Sequence, residues 1–389
     1  MKNFIPESFW LLKLLHKKDG LNVPFHWARV RLFDRMSVTI IYERCLAART
    51  ARVTEVKTKP ASKWRPLPLT TVELQKMGSR FLRMDSHRVM KIAEDLYTKG
   101  FISYPRTETD QFDRGMNLRS IVEKQTQDGN WGQFAQGLIN GGFQWPRSGR
   151  QNDKAHPPIH PIIYVARNAL NAEEYRVYEF VVRRFLACCS EDAKGEQSSV
   201  SLVYGTETFT ATGLLVLERN YLDVYPYEKW ESSQPLPKFS VGETFMPTEA
   251  KMNEGKTTAP GYLTEPELIA LMDANGIGTD ATMAEHINKI KERQYVMTRP
   301  KASSSRATGE DDVEDPPVTH GSRGGRGRGR GGRGAGGTAR SDGRNTGVQE
   351  FIPTTLGVAL IQGYDDLSLE TSLAKPFLRK EVRSLAIVA

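Results

Sequence analysis

The chain has 389 residues and a formal net charge of +8, from 54 lysines and arginines against 46 acidic residues. This length suits two or three domains, and the basic balance favours an anionic partner. The three cysteines form no CxxC pair, which excludes a cysteine-rich zinc site and a disulfide framework. The apolar run near the start is interrupted by Lys13, and no stretch approaches the roughly 20 residues of a membrane span. The sequence therefore predicts neither a signal peptide nor a membrane span.

Strand-like segments lie on both sides of a block with helical periodicity. Residues 36–58 end in an alternation of Ala51, Val53 and Val56, and residues 199–248 contain further short β-rich runs separated by turn residues. A helical block that interrupts a β-rich segment predicts an inserted domain.

The first helix of this block is predicted to start at Asp85 or Ser86 and to stop at Gly100. Its predicted apolar face has helical spacing and consists of Val89, Ile92, Ala93, Leu96 and Tyr97.

Four residues later, Tyr104 and Arg106 follow the end of this helix. Pro105 favours an extended conformation at Tyr104, and in an extended chain Arg106 points to the same side. A phenol beside a guanidinium suits attack on a phosphodiester, because the arginine neutralises developing charge and favours the phenolate. The alternative is a buried tyrosine with a surface arginine, which the spacing alone favours.

His156 and His160 lie four residues apart in a proline-rich segment. The prolines forbid a regular helix, and no cysteine or third ligand is near, so zinc is disfavoured. Two interpretations stay open: a rigid loop that presents one imidazole to a phosphate, and a structural loop histidine.

A second helix is predicted to begin at Asn171, with Glu174 at its third position. Arg183 and Arg184 are predicted on its polar side, and Cys188 is predicted to be a core or near-core thiol. The predicted apolar face is Tyr178, Val181, Val182, Phe185 and Cys189.

Further along, Thr264 and Glu267 form a predicted capping box at the start of a helix. Its apolar face is predicted to be Leu268, Leu271 and Met272. Thr282 and Glu285 predict a second capping box, on a helix that carries Met283, Ile287 and Ile290 inward. Such a unit directs a helix N-terminus outward, as at many phosphate sites; an ordinary pair of antiparallel helices is the alternative.

Two segments have no regular periodicity. Residues 62–70, with Trp64 and Arg65, form an extended basic segment that either touches a nucleic-acid strand or joins two domains. Residues 300–347 are predicted to be disordered, because an acidic stretch is followed by a glycine–arginine tract without large apolar residues. The composition favours binding of RNA or single-stranded DNA over a plain linker. The arginines expected to do so are Arg323, Arg326, Arg328, Arg330 and Arg333.

Several of these segments together resemble type IA DNA topoisomerases. The strings GFISYPRTETD, AHPPIHP, NYLDVYPY and LTEPELIALMDANGIGTDATMAEHINKI are similar to the topoisomerase III branch, and most of all to its alpha-type eukaryotic members. The resemblance covers nearly the whole chain outside residues 300–347, in the order of the family.

The resemblance implies an α+β multidomain fold, with a β-rich arch, a helical tyrosine-bearing domain and a helical basal domain. It implies these parts: a basal remnant and first arch segment (1–75), the tyrosine-bearing domain (76–197), the second arch segment (198–261), a partial basal domain (262–299 and 348–389) and the insert (300–347).

The resemblance also implies roles for individual residues. Tyr104 would be the nucleophile that cleaves single-stranded DNA and forms a 5′-phosphotyrosine, and Arg106 would stabilise the attacked phosphate. Thr107, His156 and Thr282 would contact DNA. The function so implied is relaxation of negative supercoils and resolution of recombination intermediates.

The family begins with a Toprim domain that holds acidic Mg²⁺ ligands, and no segment here is similar to it. The expectations are therefore a truncated chain, a Mg²⁺ requirement whose ligands lie elsewhere, and doubtful activity of this chain alone. A non-catalytic nucleic-acid-binding paralogue is the alternative. The resemblance further implies a RecQ-type helicase and an OB-fold accessory protein as partners, and a location in the nucleus.

Overall fold

The computed structural model describes residues 4–231, 236–301 and 348–367. The arginines of the glycine–arginine tract lie outside the described residues, so their role stays a prediction. The described strands are β1 (Ser8–Lys18), β2 (Leu21–Trp27), β3 (Ala51–Lys63), β4 (Ala193–Tyr204), β5 (Glu207–Glu218), β6 (Thr244–Phe245), β7 (Glu249–Lys256), β8 (Val296–Pro300) and β9 (Gln349–Pro353).

The described α-helices fall between and after these strands. They are α1 (Arg35–Ala48), α2 (Thr71–Met77), α3 (Ser86–Thr98), α4 (Leu118–Lys124), α5 (Gly132–Gly137), α6 (Ala172–Cys188), α7 (Glu265–Ala274), α8 (Met283–Glu292) and α9 (Thr355–Asp366). None of the helices in these described ranges is long and apolar enough to cross a membrane. The mixture of a large sheet with a separate helical block confirms the predicted α+β class.

Seven strands form one antiparallel sheet in the order β6-β3-β4-β5-β2-β1-β7. Inward positions of β2 alternate with exposed ones, so Val23, Phe25 and Trp27 are buried in the sheet core. β1 and β2 were not predicted from the sequence, because β1 is an apolar run without clean alternation. The sheet thus joins residues from both sides of the helical block.

Helix α1 packs on the sheet through the buried residues Val38 and Cys45. The Cys45 thiol donates to the carbonyl oxygen of Tyr204 at 3.1 Å. The turn from β4 to β5 passes close to this helix at Gly205, where φ is +64° and an added Cβ would lie 2.9 Å from the Cys45 Cα. Only glycine fits both the backbone conformation and this close approach.

The helical block, α2 to α6, lies between β3 and β4 in the chain and has its own core. Its first predicted helix is confirmed as α3: Asp85 caps it by accepting the Arg88 N–H at 3.0 Å, and Gly100 follows its end at φ +75°. The predicted burial of Tyr97 is wrong, since this side chain is 45% exposed.

The second predicted helix is confirmed as α6, which begins with the capping box of Asn171 and Glu174. Both adjacent cysteines are buried, as predicted. The polar position predicted for Arg184 is wrong, because this guanidinium is buried and donates to the Leu67 carbonyl at 2.9 Å and the Tyr225 hydroxyl at 3.1 Å. Polar partners inside the core thus compensate the burial of its charge.

The last described unit consists of α7, α8, β8 and β9 around a small core. The capping box of Thr264 and Glu267 is confirmed. The predicted burial of Leu271 is wrong; it is 47% exposed, and Ile269 is fully buried instead. β8 and β9, which flank residues 302–347, pair in an antiparallel register with Thr298 opposite Phe351.

Candidate active site

A cleft of about 290 Å³ lies where three segments meet: the chain after α3, the proline-rich histidine loop and the turn before α8. It contains two of the predicted site residues of the first segment together with the histidine of the second. Its lining consists of Tyr104, Arg106, Glu108, Asp153, Ala155, His156, Asp280 and Ala281.

Backbone contacts hold the first two segments side by side. Ile102 forms an antiparallel bridge with Pro161, and the Ser103 N–H donates to the His160 carbonyl at 2.9 Å. The His160 N–H in turn donates to the Ser103 hydroxyl at 3.0 Å. Because prolines prevent helix formation in the loop, the extended backbone uses its polar groups across the two segments instead.

The phenol ring of Tyr104 lies between two other rings. Its centroid is 4.5 Å from the His156 ring, and the Tyr97 ring meets it edge-on at 5.3 Å. Within the described residues no hydrogen-bond partner contacts the Tyr104 hydroxyl. The neighbouring rings therefore fix the Tyr104 ring and leave its hydroxyl oxygen available. Tyr97 packs on this ring, which explains why it is not in the core.

Arg106 joins two walls of the cleft. Its Nε donates to Glu94 Oε1 at 2.8 Å, its Nη2 lies 2.6 Å from the same oxygen, and its Nη1 donates to the Ala281 carbonyl at 2.6 Å. A guanidinium has five N–H groups, so these described contacts leave two for another acceptor. Glu94 was not predicted, because no sequence pattern connects a helix residue with this arginine.

Thr107 does not line the cleft, and its DNA contact stays a prediction. The side chain is fully buried; its hydroxyl donates to Asp153 Oδ2 at 3.0 Å, and its backbone N–H donates to the Thr71 hydroxyl at 2.7 Å. In this conformation Thr107 therefore supports the cleft from beneath.

Asp153 organises the histidine loop. Its Oδ1 accepts the backbone N–H groups of Ala155 and His156, each at 2.9 Å. Partial burial alone would raise the pKa of Asp153, but hydrogen bonds from the His156 and Ala155 N–H groups and with the hydroxyls of Thr109 and Thr107 together outweigh it and hold that pKa well below its usual range. Its role was missed, although aspartate that binds N–H groups two and three residues on is a known turn signal.

The two histidines of the loop have different environments. His160 is 3% exposed, its Nδ1 lies 2.7 Å from the Pro158 carbonyl oxygen, and burial lowers its pKa. It is the structural histidine. His156 lines the cleft with its Nδ1 3.8 Å from Asp153 Oδ2, which corresponds to the other interpretation left open by the sequence.

Thr282 lies at the start of α8 but does not form the predicted capping box with Glu285. Its hydroxyl instead accepts the Thr279 N–H at 2.8 Å. The residues of this turn that line the cleft are Asp280 and Ala281. The turn before α8 thus borders the cleft through Asp280 and Ala281, while Thr282 stabilises the turn.

The described carboxylates do not fit the Mg²⁺ that the resemblance implies. No group of three or more potential ligands occurs among the described residues. The oxygens of Asp153 already accept two N–H groups and one hydroxyl. Glu108 and Asp280 alone provide too few oxygen ligands for a protein-built site.

Comparison with known proteins gives one consistent result. A family described as DNA topoisomerase matches residues 1–312. The chain is 47% identical over 383 residues to DNA topoisomerase 3 of Schizosaccharomyces pombe, covering 98% of this chain and 55% of the relative. It is 44% identical over 382 residues to human DNA topoisomerase 3-alpha, covering 98% and 33%.

The solved structure of full-length topoisomerase I from Thermotoga maritima has a similar fold. The TM-score is 0.60 at 23% identity, over 76% of this chain and 48% of that one. The chain thus spans about half of the yeast relative and a third of the human one.

Proposed function

The chain belongs to the type IA DNA topoisomerase family, in its topoisomerase III branch, and on this premise we propose that it cleaves and religates single-stranded DNA with Tyr104 as the nucleophile. The observation that carries the proposal is that an unengaged phenol and a partly engaged guanidinium line the same cleft.

In the proposed step the Tyr104 oxygen attacks a backbone phosphorus. A bond forms between that oxygen and phosphorus, and the bond from phosphorus to the 3′ oxygen breaks. The phenol loses its proton, and the departing 3′ oxygen takes one up. The products are a 5′-phosphotyrosine and a 3′-hydroxyl, and religation is the reverse displacement.

The neighbouring side chains of the cleft have supporting roles in this proposal. The two N–H groups of Arg106 that the described residues leave unengaged donate to the nonbridging phosphate oxygens, where charge develops. The His156 imidazole, against the Tyr104 ring, contacts the backbone of the bound strand. Thr107 acts indirectly, because it holds Asp153 and therefore the histidine loop.

The wider activity belongs to the same proposal. We infer strand passage that relaxes negative supercoils and resolves recombination intermediates in the nucleus, with a RecQ-type helicase and an OB-fold protein as partners. Binding of RNA or single-stranded DNA by the glycine–arginine tract is proposed likewise. Mg²⁺ dependence is inferred from the family, and no reaction step is assigned to the metal.

The test is formation of a covalent adduct by the full chain, supplied with a Toprim-bearing fragment of a relative and Mg²⁺. An oligonucleotide labelled at its 3′ end should transfer its label to the protein, whereas a 5′ label should not. Tyr104→Phe should abolish the adduct and leave DNA binding nearly unchanged. Tyr97→Phe, which keeps the edge-on ring, is the matched control and should retain the adduct.

Failure of the unsubstituted chain to form any Tyr104-dependent adduct contradicts the proposal. DNA binding that persists without an adduct, and that is lost when residues 321–344 are deleted, would instead favour the non-catalytic nucleic-acid-binding paralogue.

A further inference from the structure

Away from the cleft, three arginines stack on three aromatic rings along one stretch of surface. The guanidinium carbon of Arg147 lies 4.5 Å from the centroid of the Trp64 ring. The corresponding distances are 4.9 Å for Arg114 on Trp145 and 4.7 Å for Arg119 on Phe143. We propose that this aromatic–arginine surface, made of these six residues, is a second binding site for single-stranded DNA outside the cleft.

Hydrogen bonds join the Trp64 segment to the segment that carries Phe143, Trp145 and Arg147. Arg147 Nη1 donates to the Arg65 carbonyl at 2.8 Å, and Arg65 Nη2 donates to the Trp145 carbonyl at 3.1 Å. The Gln144 N–H donates to the Cys189 carbonyl at 2.9 Å, which anchors the segment to the end of α6. The rings are therefore positioned before any ligand binds, which lowers the entropic cost of binding.

Exposure distinguishes Trp64 from a core residue. The side chain is 66% exposed, although indole is among the largest apolar groups in proteins. Arg147 covers one part of the ring, and the remainder is accessible to a flat partner. Every nucleobase has a π-face, so stacking on such a ring binds single strands with little sequence preference.

The charges of the surface favour a polyanion. Arg65 is compensated by Asp192, at 3.6 Å. No carboxylate in the part of the chain that the structure describes forms an ion pair with Arg114, Arg119 or Arg147. Arginines without acidic partners thus supply phosphate contacts near the exposed Trp64 ring, while Phe143 and Trp145 are partly buried against the helical core.

The surface is continuous along the chain with the cleft. Beyond Arg147, the Gly149 N–H donates to the Asp110 carbonyl at 3.1 Å, and the Asp153 N–H donates to the Thr109 hydroxyl at 3.1 Å. The same segment then reaches His156. The choice of single-stranded DNA as the ligand rests on the proposed function. Residues 143–147 would bind a part of the strand other than the phosphate that reacts in the cleft.

The test measures equilibrium binding of the full chain to a fluorescent single-stranded oligonucleotide, and to a duplex of the same sequence, over a series of salt concentrations. Trp64→Ala should weaken single-strand binding about tenfold, the effect of losing one stacked base. It should leave the salt dependence unchanged and have no effect on the duplex, whose bases are already stacked. Arg147→Gln should weaken single-strand binding and, unlike Trp64→Ala, should lower the slope of log affinity against log salt concentration by about one.

A matched control uses an arginine stacked on an aromatic ring elsewhere. Arg31 lies 4.8 Å from the centroid of the Phe9 ring in the sheet region, so Arg31→Gln removes the same charge and the same type of contact. It should leave the affinity nearly unchanged.

Three results would overturn the proposal. The first is unchanged single-strand affinity in Trp64→Ala, and the second is a loss of duplex affinity in that variant as large as its loss of single-strand affinity. The third is a loss of single-strand affinity in Arg31→Gln as large as that in Arg147→Gln. The result of this binding test does not depend on whether Tyr104 forms a covalent adduct. Because Tyr104 lies outside the aromatic–arginine surface, Trp64→Ala should still form the covalent adduct at saturating DNA. Loss of the adduct in Tyr104→Phe alone tests the proposed function.

Discussion

The two walls of the cleft are built on cores of very different size. The helical-block wall carries Tyr104, Arg106 and His156, and beneath it lies a large core that includes fully buried side chains such as Trp131. The opposite wall, the turn before α8, rests on a core of five buried residues and joins the large core through Ala284. The side chains proposed to react thus belong to the better-packed unit, and the other wall contributes Asp280 and Ala281, whose carbonyl Arg106 binds. We expect the wall with fewer buried contacts to open more easily.

The largest expected effect comes from truncating one fully buried side chain in each core. Leu96→Ala in the helical block should lower the free energy of unfolding by about 2–5 kcal/mol, because it leaves a cavity among packed neighbours. Ile269→Ala in the small core should act locally. Hydrogen exchange should increase in α7, α8 and the turn, while α3 and α6 keep their protection.

Denaturant-induced unfolding and hydrogen exchange of both variants measure this difference. If Ile269→Ala destabilised α3 as much as Leu96→Ala does, the two walls would form one cooperative unit, and the comparison would fail.

The second prediction concerns the helical-block wall and its histidine loop. Asp153→Asn should destabilise the loop by about 1–2 kcal/mol, because hydrogen bonds to a charged acceptor are stronger than those to a neutral one. Since folding lowers the pKa of Asp153, its contribution is fully present above the ordinary aspartate value of about 3.9 and is lost as the pH falls below it.

Thermal unfolding of the wild-type chain and of Asp153→Asn, from about pH 7 to about pH 3, tests this sign. The two midpoints should differ at neutral pH and approach each other in acid. A difference that grows in acid would contradict the role of the charged carboxylate. Asp113→Asn, which changes an exposed aspartate on another loop, is the control.

Local signals predicted much of this fold. The caps at Asp85, Asn171 and Thr264 depend only on residues within three positions, so sequence patterns suffice to find them. The sheet is different, because β1 pairs with β7, more than two hundred residues away, in a register that no local pattern specifies. The inward side chain of Arg184 was missed for the same reason, since its partners come from distant segments.

In the candidate site, too, local sequence patterns indicate some residues, whereas others depend on contacts between distant segments. Tyr104, Arg106 and His156 were noticed in their own segments, but spacing alone favoured a buried tyrosine and left the histidine open, so their roles came only from the family resemblance. The structure brings all three to one cleft. Glu94 and the Ala281 carbonyl were not noticed, because they approach Arg106 only through tertiary packing. The burial of Thr107 likewise depends on its contact with Asp153, which lies 46 positions further along the chain.

The third prediction concerns the arginine that joins the walls. Glu94→Gln removes the charge that orients Arg106 and keeps a neutral acceptor. We expect covalent-adduct formation to slow about tenfold, since loss of orientation by small displacements is costly for the reaction. Affinity for single-stranded DNA should not fall, because a negative charge beside the phosphate is removed. An unchanged rate, or a weakened affinity, would contradict the positioning role; Glu123→Gln, an exposed residue of another helix, is the control.

The smallest expected effect lies in the turn on the opposite wall. Thr282→Val removes the hydroxyl that accepts the Thr279 N–H at 2.8 Å, which should cost about 1 kcal/mol. Without DNA, exchange of the Thr279 amide should therefore become about fivefold faster, whereas Thr282→Ser, which keeps the acceptor, should leave it unchanged. If Thr282→Val leaves this exchange unchanged but weakens adduct formation, the hydroxyl acts on DNA directly, as the family resemblance implied. If both change together, the turn must be ordered for the small wall to meet Arg106, and the two walls work as one site despite their unequal cores.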